Sequence, residues 1–366
     1  MTAVSAAPLA ARGLRPTPVR GRLSPPLFYA LAMPLLIGLA VTGIVVGSTT
    51  LDWSTVVRVL AAKLLPSGWV SWGSSTRAEE AIVWLIRVPR VIVAAIVGAG
   101  LATAGVMMQS LFRNPLAEPS LTGVGPGAVL GGVAAFVTGW TATSVVSLPL
   151  AAIGSALLAL FLVYGIATRG GATPITTLLL AGIAVGAFLS ALSSLLLSVN
   201  IVTWQVAQEI VFWMMGGLDS RTWAHVWLSG PFVAIGVAAA LLQSRTLDLM
   251  LLGEENAAAL GVDVEGAKRQ LVVTSALLTG ASVAVAGLVG FVGLVVPHGV
   301  RLLLGPRHRT LLPASAVAGG AFLIGCDLVA RTVRPPAELR LGVVTALCGA
   351  PLFLVLLLRR LREGRE

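Results

Sequence analysis

The feature that most limits what this chain can become is the recurrence of apolar runs about as long as a membrane is thick. From residue 27 to residue 358, runs of mainly apolar residues follow one another with short polar breaks. About 20 such residues cross a bilayer core as a helix. Only 11% of the 366 residues are charged and 57% are hydrophobic, where a soluble domain carries about 25% charged residues. The chain therefore reads as an all-α polytopic membrane protein. Its polar stretches (the N-terminal tail, 50–80 and 244–270) leave no room for a sizeable soluble domain.

The pattern predicts spans at 27–49, 87–110, 122–142, 145–168, 175–199, 223–243, 269–289, 292–304, 311–330 and 340–358. The eighth is too short to cross a core of about 30 Å as a helix alone. It is either partly re-entrant, leaving nine crossings, or one of ten. Residues 1–26 read as a disordered basic tail, 27–358 as the membrane domain and 359–366 as a second basic tail. The net charge of +10 comes mostly from residues at span ends, which points to topology and anionic lipid. No basic–aromatic stretch suits base stacking, so nucleic acid is not an expected partner. Of the 25 Lys and Arg residues, all but Arg58, Lys63, Arg77, Arg87, Arg90, Arg221, Arg331, Arg334 and Arg340 fall on the side shared by both termini. That bias places both termini in the cytoplasm. It leaves those nine in need of a local reason.

Small residues recur at four-residue spacing: Gly98 and Ala102; Gly123, Gly127 and Gly131; Gly182, Gly186 and Ser190. Such series predict close helix packing, with Pro126 expected to kink or loosen its helix near the start. Leu51 to Leu65 is expected to form an amphipathic helix with Trp53, Val56, Val57, Leu60 and Leu64 on one side. Trp69, Trp72, Trp84, Trp204, Trp213 and Trp223 are expected to be interfacial anchors. Cys326 and Cys348 lie in apolar runs and read as small buried hydrophobes.

Catalytic patterns are missing. There is no Gly-x-Ser-x-Gly elbow and no His-Glu-x-x-His, and His225, His298 and His308 are scattered. Gly261 to Lys268 comes nearest to a phosphate-binding loop, but Ala267 stands where the pattern needs lysine. No bound cofactor is expected, and ATP would have to be hydrolysed elsewhere. Asp327 lies within a span with Arg331 four residues on, the helical order that favours an ion pair. That pair satisfies itself or serves function. Either way it leaves little for ion coupling, the runner-up mechanism.

Leu247 to Lys268 reads as two short cytoplasmic helices, Leu247–Leu252 and Glu254–Leu260. Gly253 and Gly261 act as breakers, and Glu254 and Glu255 favour the second helix's N-terminus. Two short, partly apolar helices suggest a docking surface.

Seven stretches then coincide in order and spacing with one family. They are Arg87-Val-Pro-Arg90; Arg113-Asn-Pro-Leu-Ala-Glu-Pro119; Leu178-Leu-Leu-Ala-Gly182; Trp213-Met-Met-Gly-Gly217; Gly253-Glu-Glu255 with Leu260-Gly261; Gly290 to His298; and Pro336-Ala-Glu338 through Gly342-Val-Val-Thr345 to Gly349-Ala-Pro351. From about residue 27 to 358 the chain resembles the FecCD-type permeases of ATP-binding-cassette importers, which move iron–siderophore, haem and cobalamin chelates. The resemblance implies ten helices in the type II importer architecture and a second permease subunit, identical or related. The pathway would lie on their two-fold axis, lined largely by the fifth span. It implies two ATPase subunits, which use ATP and Mg, docking at Gly253, Glu254, Glu255, Leu260 and Gly261. It implies a soluble binding protein engaging Arg87, Arg90 and Arg331 from outside, and a cytoplasmic gate at Asn114, Leu116, Ile175 and Thr176. The cargo expected first is a ferric siderophore, with haem and cobalamin as alternatives. The chain departs from the family at Arg340, where proline is frequent, and residues 1–26 match nothing.

Overall fold

The computed structural model describes residues 23–47, 49, 51–65, 75–200, 203–335 and 337–363. Its elements are α1 (Pro25–Val45), α2 (Trp53–Leu64), α3 (Arg77–Glu80), α4 (Val88–Leu111), α5 (Val124–Val137), α6 (Ser147–Ala167), α7 (Ile175–Val199), α8 (Trp204–Met214), α9 (Trp223–Leu242), α10 (Ser244–Met250), α11 (Glu254–Ala259), α12 (Val264–Ala286), α13 (Val292–Leu304), α14 (His308–Thr332) and α15 (Leu341–Glu363). A π-helical stretch, Ala81–Arg87, joins α3 to α4. All ten expected spans coincide with helices. Seven are long and apolar enough to cross a membrane, and α5, α13 and the start of α15 are shorter apolar helices. The tail at 1–22, Trp69 and Trp72 lie outside the described residues.

α4 is the hub, packed against α14, α12, α9 and α13. Glycines set these approaches. A Cβ at Gly98 would collide with the Gly319 carbonyl, and one at Gly105 with the Gly293 backbone. Gly127 and Gly131 likewise admit the α6 backbone at Ser155 and Ala151. In lipid, close backbone approach supplies the packing that water-driven burial cannot. Ser190 departs from this pattern: it is exposed on α7 and donates back to the Gly186 carbonyl at 2.9 Å.

Several expectations are corrected. Pro126 falls in the first turn of α5, where its missing N–H leaves no bond unmade, so no kink follows and the helix starts after Gly123 at φ 78°. α2 buries Thr55, Val56 and Val59, while Trp53 and Leu64 are 70% and 69% exposed. Its inward face is turned from the expected one. Trp213 is buried against Gly132 and is not an interfacial anchor. Trp223 stacks on Trp84 at 5.1 Å between centroids. Cys326 is buried, but Cys348 is exposed.

α13 resolves the short eighth span. Its 13 residues cover about 20 Å. Gly293 near its start packs against Leu101, halfway along α4. Residues 287–291 reach that depth without helix, with Phe291 at φ 67°. The eighth crossing is half helix and half irregular backbone, which is tolerated at membrane depth only inside protein.

Candidate functional site

Three regions combine unusual residues, one at each end of α4 and one between. At the α4 N-terminus stand Arg87, Arg90 and Arg331, all buried. Arg87 donates through Nη1 to the Ile44 carbonyl at 3.0 Å and the Val45 carbonyl at 2.6 Å, and through Nη2 to the Thr49 carbonyl. Arg331 donates to the carbonyls of Gly43 at 3.0 Å and Val46 at 3.2 Å. These are the last carbonyls of α1, which a helix leaves without internal partners, and cations suit that end of the helix dipole. The two arginines cap α1, and the helix stops at Val45, before the predicted residue 49.

Arg90 holds the third position. Its Nε and Nη2 donate to Asp327 at 2.8–3.1 Å, and its Nη1 and Nη2 donate to Glu338 at 3.0 and 2.9 Å. Arg331 Nε lies 3.2 Å from Asp327 Oδ2, without the alignment of a hydrogen bond. The expected Asp327–Arg331 pair is present, but Arg90 is the main partner of Asp327. The three arginines expected to engage a binding protein thus also have partners within the chain. The three come together, but their guanidinium groups are spent on α1, Asp327 and Glu338. The exposed cations at this end, among the described residues, are Lys63, Arg77 and Arg334.

Between the ends lies a cavity of about 410 Å³ lined by Glu118, Ser120, Ser190, Ser193, Thr279 and apolar side chains. Burial raises the Glu118 carboxyl above the ordinary carboxylate range, partly offset by the Phe291 N–H and the Ser120 hydroxyl. α7 presents its other face openly. Thr176, Leu180, Ile183, Ala184, Phe188, Ala191 and Ser194 are exposed there, and the helix carries no charge.

At the C-terminal end of α4 the expected gate loops are both present. Asn114 Oδ1 accepts the Leu116 N–H at 3.0 Å, a local turn that fixes the first loop. Thr176 is exposed and Ile175 half-buried at the start of α7. The structure brings the two loops together around a cavity of about 470 Å³ lined by Phe112, Arg113, Thr173, Ile175, Thr176 and Lys268. Asn114 and Leu116 sit beside it and do not line it.

α10 and α11 form where two short helices were expected. Gly253 at φ 116° breaks the chain between them and Gly261 at φ 85° ends the second. Both values suit glycine alone. Glu254 and Glu255 occupy the first turn of α11. Leu260 is 60% exposed. It borders a cavity of about 440 Å³ with Arg245, Leu249 and Gly261.

Sequence reasoning missed His308. Its Nδ1 lies 2.7 Å from Asp248 on α10, and its Nε2 meets the Ser110 hydroxyl. Serine, histidine and aspartate here do not form a hydrolytic centre. Ser110 is 1% exposed and donates to the Val106 carbonyl at 2.8 Å, so no substrate can reach it. The group pins α10 to the ends of α4 and α14.

Among the described residues the molecule is a helical membrane bundle with a broken crossing and a pair of short helices at one end, the layout of a type II importer permease. The FecCD transport family model matches residues 35–359, and the chain belongs to that family. It is 46% identical to a cobalamin import system permease of Halobacterium salinarum, over 78% of this chain and 75% of that one. It is 37% identical to a hemin transport system permease of Yersinia pestis, over 95% of this chain and 100% of that one. A Fe(3+)-citrate import system permease of Bacillus subtilis is 39% identical over 79% of this chain and 83% of its own. A solved structure, described as an inward-facing ABC transporter of the metal-chelate type, superposes with a TM-score of 0.79 at 30% identity, covering 92% of this chain and 100% of that one.

Proposed function

We propose that this chain is the membrane-spanning subunit of an ATP-driven importer for a bulky metal chelate. The observation that carries this reading is the loop end. Two short helices separated by a glycine at positive φ stand beside two loops that border a common cavity, in a chain with no phosphate-binding loop of its own. An external ATPase, holding ATP and Mg, would dock on Gly253, Glu254, Glu255, Leu260 and Gly261. The groove between α10 and the start of α12, bordered by Leu260 and Gly261, would receive it. The loops at Asn114 and Leu116 and at Ile175 and Thr176 would then form the gate. On this reading the loop end and both termini lie in the cytoplasm, and the chain in the cytoplasmic (inner) membrane of a bacterium.

A second permease, identical or related, would pack so that the open face of α7 borders the shared pathway. That face is uncharged, with small, hydroxyl and apolar residues alternating, which suits a large chelate that must not be gripped. A binding protein would deliver cargo at the arginine end. There Arg87, Arg90 and Arg331 hold the mouth in shape from within, and Arg77 and Arg334 stand exposed. Ion coupling is disfavoured because Asp327 is closed off by Arg90. Ferric siderophore was the cargo expected first. The relatives named above carry cobalamin, hemin and ferric citrate systems, and the identity to a cobalamin permease makes cobalamin the first ligand to assay.

Proteoliposomes holding this chain, its ATPase and its binding protein test the reading against labelled cobalamin, haem and ferric siderophore. Uptake of one ligand that needs both ATP and the binding protein is the expected result. Uptake driven by an ion gradient without ATP would replace the reading with the secondary-carrier mechanism.

A further inference from the structure

Lys268 is 1% exposed in the second turn of α12, and its ammonium reaches three acceptors on three separate segments. These are the Glu254 carboxylate of α11 at 2.6 Å, Glu265 of its own helix at 2.9 Å and the Thr173 carbonyl at 2.9 Å. An ammonium has three protons, so all are used. Glu265 also accepts the Thr173 N–H at 3.0 Å. The backbone of Thr173 is thus held on both sides, two residues before Ile175 and 95 residues away in sequence from Lys268. A lysine that only pinned α11 to α12 would need no acceptor so far along the chain. The other loop has a counterpart. Arg113, at φ 47°, donates its Nε–H to the Met250 carbonyl at the end of α10 at 3.1 Å. One cation ties each short helix to one loop.

We infer that Lys268 is a positioning residue that transmits displacement of α11 to the loop entering α7, so that movement of the docking helices moves the gate. The inference rests on the importer reading above. Its physical basis is that a buried charge is strongly destabilised by losing a partner. When α11 shifts, Lys268 and Thr173 follow it, because separating them costs more than moving together.

The test uses the assembled complex in proteoliposomes with Cys326 and Cys348 replaced by serine. Ala172, exposed and next to Thr173, is replaced by cysteine as a reporter. With Lys268 present, labelling of that cysteine by a water-soluble thiol reagent changes between nucleotide-free and ATP-bound states. Lys268→Met is expected to remove that change and lower uptake about tenfold while ATP hydrolysis continues. Lys268→Arg, which keeps charge and donors, restores most of both. An assembled Lys268→Met complex whose labelling and uptake still respond to ATP overturns the inference. Should that variant fail to assemble, Glu254→Ala removes that acceptor and cuts the same link while leaving Lys268 two acceptors. A retained ATP response in that variant overturns the inference equally. Absence of ATP-driven uptake in the unaltered complex would instead count against the importer reading itself.

Discussion

Arg90 is held between two carboxylates at membrane depth, and that makes its removal asymmetric. Arg90→Met leaves Asp327 buried with a charge that the poorly aligned Arg331 does not replace. The expected loss is about 3–5 kcal/mol. Arg90→Met with Asp327→Asn removes both charges and is expected to recover much of that loss. Thermal unfolding in detergent compares the two, and equal loss in both variants would mean that the charge pair is not what stabilises this corner. The same burial means that reversing Arg87 and Arg90 to glutamate is expected to loosen the mouth itself as well as any docking there. Glu118 offers a second test. Its carboxyl is raised by burial, so the neutral form is the one the fold favours. The stability it lends is full below the unfolded carboxylate range and is lost as pH rises through the raised folded value. Glu118→Gln keeps a neutral side chain at every pH. The variant is expected to gain on the unaltered protein as pH rises through and above the ordinary glutamate range. A melting-temperature difference that stays flat over that range would place the carboxylate in a site that tolerates charge.

Among the elements, α4 carries the closest contacts, and its glycines are where side chains cannot go. Gly105→Ala drives a methyl into the Gly293 backbone, where α13 begins. Overpacking of this kind costs about 1–3 kcal/mol, and the half-crossing of α13 is expected to separate from α4. Gly299, further along α13, has nothing within 4 Å of an added Cβ. Gly299→Ala is expected to be neutral or to stabilise the helix by about 0.5–1 kcal/mol. Melting curves that rank the two variants the other way would contradict the α4–α13 contact. The π-helical stretch Ala81–Arg87 ends on Arg87, whose guanidinium meets the end of α1.

For the whole molecule, the open face of α7 decides the assembly. In a background without native cysteines, Ala184→Cys is expected to cross-link two permease subunits, directly or through a short bifunctional reagent. Trp227→Cys, on the exposed side of α9, is expected not to. Cross-linking through α9 alone would move the shared pathway to another face. Much of this molecule was readable along the chain. Ten apolar runs became ten helices because backbone in lipid must satisfy its own hydrogen bonds, and that requirement is local. Gly253 and Gly261 marked α10 and α11 because positive φ is a property of one residue. The arginines were noticed as anomalies, but their partners were not, since Arg90 and Asp327 stand 237 residues apart and no local periodicity links them. Lys268 and Thr173, and His308 and Asp248, were hidden for the same reason. The sequence by itself determined where the apolar spans run and where glycine breaks them, because backbone hydrogen bonding and lipid thickness act segment by segment. Only the tertiary structure decided which buried charge meets which partner, because desolvated ions select acceptors by geometry across the fold.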